Sequence, residues 1–162
     1  MSDGSMTDGP TTEGAGAGRM EGRPIVLASW LGTAVFTATA LVAAASGPGY
    51  PEESPLYPAM VVALGLFVAS LPLSLYALAK GALRTARNAE KVTVGGLFLL
   101  SRSAPPAVRL SLLGSLAVCL VVTAATAAAE PFGVLVPVWP LALCGTWAAR
   151  HGRFPPIPEP SR

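Results

Sequence analysis

Charge is what this chain has least of. Only 12% of its 162 residues are Asp, Glu, Lys or Arg, against about 25% in an ordinary soluble domain. So few charged groups cannot cover a globular surface, and that excludes the usual water-soluble design. Histidine is reduced to His151 alone, beside Arg150, where it reads as an interfacial anchor. A lone histidine leaves no nucleophile–base pair and no imidazole metal cluster to argue from. Cysteine is nearly as scarce. Cys119 and Cys144 lie deep in apolar runs with no CxxC spacing, so neither a disulfide framework nor a thiolate metal site is indicated. They read as small buried hydrophobes. A phosphate-cradling glycine loop is also missing, and the basic residues lack the aromatic interleaving of a nucleic-acid surface. From these shortages we expect no enzymatic activity, no cofactor, no metal and no nucleic-acid partner.

What the chain has is apolar sequence in long blocks: 52% of it is hydrophobic, with a mean hydropathy of +0.55. A helix needs ~20 apolar residues to cross a hydrocarbon core ~30 Å thick. Four segments qualify: residues 25–46, 58–79, 110–129 and 131–149. None contains Asp, Glu, Lys, Arg or His, each of which would cost about 2.5–3.5 kcal/mol near mid-helix on the milder insertion scales. Backbone groups find no water in lipid, so helices are the expected solution. The prediction is an all-α integral membrane bundle of four transmembrane helices, arranged as two helical hairpins. The fourth segment is the weakest, because Pro131, Pro137 and Pro140 interrupt it. Each proline removes a backbone donor, which predicts a kink and freed carbonyls that need partners from neighbouring helices. Trp139, near the middle of that segment, is expected to turn its indole N–H toward another helix.

The 11 basic residues fall in three places. Arg19 and Arg23 precede the first span; Lys80, Arg84, Arg87, Lys91, Arg102 and Arg109 lie between the second and third; Arg150, Arg153 and Arg162 follow the fourth. Short loops rich in Lys and Arg stay in the cytoplasm, which predicts a cell-membrane protein with both termini cytoplasmic. Residues 1–24, rich in Gly, Ser, Thr and Asp, read as a disordered cytoplasmic tail. Residues 80–109 form a cytoplasmic basic loop, and residues 150–162 form a Pro-rich cytoplasmic tail. In that loop "KGALRTARNAEKV" is composed to continue the second helix, and the apolar residues 97–100 suit a segment lying flat in the interface. The six loop cations are candidate contacts for anionic lipid headgroups. Arg23 followed by an apolar run ending in "VAAAS" also resembles a signal peptide cleaved near Ala45. That run exceeds the usual h-region of about 7–15 residues, and we read it as the first span. The heavy use of Ala, Gly, Pro and Arg suggests a high-GC bacterial genome.

Small polar residues are spaced along two spans. In the third they are Ser111, Ser115, Cys119, Thr123, Thr126 and Glu130; in the first, Ser29, Thr33 and Thr37, continued by Ala40 and Ala44. At ~100° per residue, steps of three and four keep each set on one face. Small residues let helices approach, and hydroxyls bond across the contact for about 0.6 kcal/mol each. We read the stripes as the contact between the first and third spans. A narrow polar path along the same residues, with Glu130 at its outer mouth, is the alternative. Glu130 itself reads as a solvated corner ahead of Pro131, an acid facing the positive end of the fourth helix. The functional expectation is therefore a non-catalytic accessory or scaffold subunit. It would be embedded in the lipid bilayer and bound to a membrane-protein partner or to copies of itself. The alternative is a small transporter or channel subunit.

Overall fold

The computed structural model describes residues 22–46, 56–88, 92–100 and 104–156. The expectations for residues 1–21, for the outer loop 47–55, for Lys91 and Arg102, and for the end of the tail fall outside them. In chain order the elements are α1 (Arg23–Ala45), α2 (Leu56–Asn88), α3 (Val94–Phe98), α4 (Pro106–Thr126), a 3-10 segment (Pro131–Leu135) and α5 (Val138–His151). No strand forms among the described residues. Four stretches are long and apolar enough to cross a membrane: Arg23–Ala45, Tyr57–Arg87, Pro106–Thr126, and Pro131–His151 as the 3-10 segment and α5 together.

Proline sets the helix starts. Pro24 and Pro106 stand in the first turns of α1 and α4, where a backbone N–H has no intrahelical acceptor and its loss does little harm. The 33 residues of α2 reach about 50 Å at 1.5 Å per residue, well beyond a ~30 Å hydrocarbon core. The excess is the basic stretch after Ala79, which continues the helix as its composition indicates.

The core divides into two clusters. One gathers Ile25 of α1, Ala77 of α2, Leu97 and Leu100 around α3, Leu112 of α4, and Leu143, Cys144, Trp147, Ala148 and Ala149 of α5. The other gathers Phe36 and Ala40 of α1, Ala63 of α2, Cys119 of α4 and Val136. Two contacts between α1 and α4, Ser29 with Ser115 and Thr33 with Cys119, share the same separation of 86 residues. The two helices therefore run side by side in the same direction.

The fourth segment is the most enclosed of the four. It is 61% buried, whereas the other three are 17–28% buried, and every residue from Ala142 to Ala149 is buried. α5 is thus the centre of the bundle, enclosed by its neighbours. This explains a composition that lipid would penalise: a helix shielded by protein tolerates prolines and a less apolar surface. Pro137 and Pro140 do not kink a continuous helix. Pro137 caps α5 and Pro140 sits in its first turn, so together they mark the junction between the 3-10 segment and the α-helix.

The residues 97–100 also differ from expectation. Leu97 and Leu100 are buried at 2% and 0% exposure, and the Phe98 ring lies against α5 at Gly145, where a Cβ would come within 2.7 Å of it. The segment tucks into the bundle instead of lying flat. Leu100 holds φ at 54°, a left-handed conformation unfavourable for a branched side chain; its complete burial keeps it there.

Trp139 turns to α1 as expected and donates its indole N–H to the Ala28 carbonyl at 3.3 Å. Gly32 makes room for it, since a Cβ at that position would overlap the indole. Gly32→Val should therefore overpack this contact and destabilise the protein by about 1–3 kcal/mol. Gly65→Ala, into open space, should be neutral or mildly stabilising. Thermal unfolding in detergent checks both; an unchanged midpoint for Gly32→Val would contradict the packing.

Candidate functional site

The two polar stripes meet. The Ser29 and Ser115 hydroxyls are 2.6 Å apart, and Thr33 Oγ1 lies 3.4 Å from Cys119 Sγ. Trp30 donates its indole N–H to Ser111 Oγ at 2.9 Å. Thr33 also donates to the Ser29 carbonyl, and Ser115 to that of Leu112. Ser29, Thr33, Ser115 and Cys119 are all buried. These contacts between α1 and α4 thus form a seam of mutually satisfied small polar groups.

Toward the other end the partners change. Thr123 donates to the Gly133 carbonyl at 3.1 Å. The same carbonyl accepts the Val136 backbone N–H at 3.0 Å at the end of the 3-10 segment. α4 therefore adds a second, side-chain donor to a carbonyl of the proline-broken segment. Thr126 bonds back to the Val122 carbonyl. Thr37 Oγ1 is buried with no hydrogen-bond partner.

Glu130 stands at the junction of α4 and the 3-10 segment. Its backbone is well held: the N–H donates to the Thr126 carbonyl at 2.8 Å and the C=O accepts from Gly133 at 3.3 Å. The side chain is not the solvated corner read from sequence. It is 1% exposed, forms no cap hydrogen bond to the segment that follows, and both carboxyl oxygens lack a partner. Phe36 and Glu130 Oε2 both lie near Gly133. Leaving a polar group buried and unpaired costs roughly 1–3 kcal/mol, more if it is charged. Burial accordingly pushes the Glu130 carboxyl above its ordinary pKa.

The headgroup candidates separate. Lys80, Arg84 and Arg87 come together on the extension of α2 and line an open pocket of about 470 Å³. Arg150 of α5 and Tyr76 complete the polar lining. Arg150, which sequence reasoning assigned only to orientation, lies over the Tyr76 ring at 5.7 Å and reaches its hydroxyl with Nε at 3.4 Å. Arg84 donates to the Gly152 carbonyl at 2.8 Å and lies over the Phe154 ring at 5.8 Å. Arg109 is exposed near the start of α4 and does not line the pocket. Among the described residues no group of three or more His, Cys, Asp or Glu side chains could hold a metal ion.

The chain matches no protein-family model, no curated protein and no solved structure. Its function is therefore argued from these side chains alone.

The raised pKa of Glu130 sets the sign of a pH effect. The native state retains the proton to a higher pH than the unfolded chain, so stability is greatest below the ordinary value of about 4.3. It falls as pH rises from there through the raised native value, then levels off. Glu130→Gln, neutral and of the same shape, should abolish this dependence and be at least as stable at neutral pH. Thermal unfolding across roughly pH 4–8 measures it; parallel profiles for the two proteins would contradict the assignment.

Proposed function

We propose that the chain is a non-catalytic accessory or scaffold subunit of the cell membrane that binds other membrane proteins. In this reading it crosses the bilayer four times as two helical hairpins, with both termini cytoplasmic. One observation carries the functional part. The seam between α1 and α4 is closed by its own side chains, while the outward faces of α1, α2 and α4 remain apolar and open. Leu31, Val68, Leu75 and Val121 are each more than half exposed. Such a surface suits lipid or another apolar helix and offers a water-soluble substrate no polar contact. The orientation is supported by the grouping of Lys and Arg. The hairpins are supported by the two core clusters, each of which draws residues from all four spans.

A second reading rests on Glu130. A buried carboxyl with no hydrogen-bond partner is what a small transporter or channel subunit would use to carry a proton. Ionisable groups held away from water in membrane proteins commonly mark such routes.

Purification from the native membrane in mild detergent should bring down a stoichiometric membrane protein or a defined homo-oligomer, and vesicles containing the chain alone should pass no ions. A lone monomer that conducts would contradict the scaffold reading. If Glu130→Gln abolished that conduction while leaving insertion intact, the transporter reading would replace it.

A further inference from the structure

The pocket between the α2 extension and the end of α5 has no part in the scaffold reading. Its lining brings four cationic side chains, Lys80, Arg84, Arg87 and Arg150, to one opening, with no carboxylate among the described residues that line it. The sequence separates Arg150 from Lys80 by 70 positions, so the cluster is a product of the fold. Along α2, residues 76, 80, 84 and 87 recur at helical spacing and form one face.

Two of the four cations are held in place before any ligand arrives. Arg84 is fixed by the Gly152 carbonyl and the Phe154 ring, and Arg150 is fixed by Tyr76. Held this way they lose less conformational freedom on binding. Arginine's planar fork matches the oxygens of a phosphate, and the Tyr76 hydroxyl adds a neutral donor. The pocket's volume lies within the range of small-ligand sites.

Its level in the membrane identifies the source of the phosphate. Lys80 is the first charged residue after the uncharged run 58–79, and Tyr76 stands one turn earlier, the interfacial position that tyrosine favours. Leu83 and Ala149 supply an apolar wall. The opening therefore lies at the height of the headgroups, with apolar surface for the start of an acyl chain.

We propose that this pocket is a binding site for the phosphate headgroup of an anionic phospholipid, held by Lys80, Arg84, Arg87 and Arg150.

The test uses the full chain in mild detergent, with phosphatidylglycerol as the probe and phosphatidylcholine as the zwitterionic comparison. Bound lipid is counted by native mass spectrometry. Phosphatidylglycerol should be retained selectively, and retention should persist in millimolar inorganic phosphate. Lys80→Gln combined with Arg87→Gln spares the two arginines that make structural contacts. It should weaken retention roughly 30-fold, as expected for two cations at an anionic surface. Arg23→Gln, exposed at the start of α1, should leave retention unchanged. An equal loss in Arg23→Gln would reduce the effect to diffuse surface charge and overturn the pocket. Full displacement by inorganic phosphate would assign the site to a soluble anion and overturn the lipid. Equal retention of both lipids would overturn the proposal outright. A circular-dichroism spectrum matching the parent keeps the double variant interpretable; if it misfolds, Lys80→Gln alone should still weaken retention severalfold.

Discussion

A backbone or side-chain polar group inside a bilayer must find its partner within the protein, because the solvent has none to offer. This requirement organises the molecule. It makes every membrane-length segment helical, pairs the Ser29 and Ser115 hydroxyls across the α1–α4 contact, and sends the Thr123 hydroxyl to the Gly133 carbonyl of the proline-broken segment. It also explains why α5 sits at the centre. The segment with the most prolines most needs neighbours, and it is the one enclosed by them. Glu130 is the conspicuous departure from the rule, with two carboxyl oxygens unsatisfied at a position otherwise well ordered by its backbone.

Much of the architecture was legible in the residues. Uncharged blocks of about 20 residues announce four spans through transfer energy alone, and all four appear as helices of sufficient length. The continuation of α2 past Ala79 followed from its helix formers. The meeting of the two polar stripes followed from helical spacing. The arrangement of the fourth segment did not. Its prolines signalled a break, and the break is there, but proline content does not say whether a helix faces lipid or protein. A lower apolar content than its neighbours was the available sign that α5 has no lipid face. The burial of Glu130 was equally hidden, since a carboxylate preceding a proline at a corner looks the same whether the corner is wet or enclosed by protein. Arg150 joins the basic pocket through a contact with Tyr76, 74 positions away in the chain, and no local pattern encodes that.

The ends of the bundle differ in kind. One carries cations in an open pocket braced by aromatic rings and a backbone carbonyl; the other carries the buried Glu130. The sides between them are apolar and outward-facing. This polarity along the bundle gives the protein one face suited to anionic headgroups, a belt suited to acyl chains or other helices, and a carboxyl, Glu130, withheld from solvent. The scaffold reading draws on the belt and the closed seam, and the transporter reading draws on the buried acid.

The central claim is that α5 is enclosed by the other helices while α2 and α4 face lipid. Oxygen accessibility of spin labels tests it most directly, with labels placed singly at Val68, Val121 and Ala148 in a cysteine-free background in bilayers. Val68 and Val121, 56% and 68% exposed, should show the high accessibility of lipid-facing sites, and Ala148, at 0%, should be shielded. A label at Ala148 as accessible to oxygen as those on α2 and α4 would contradict the account.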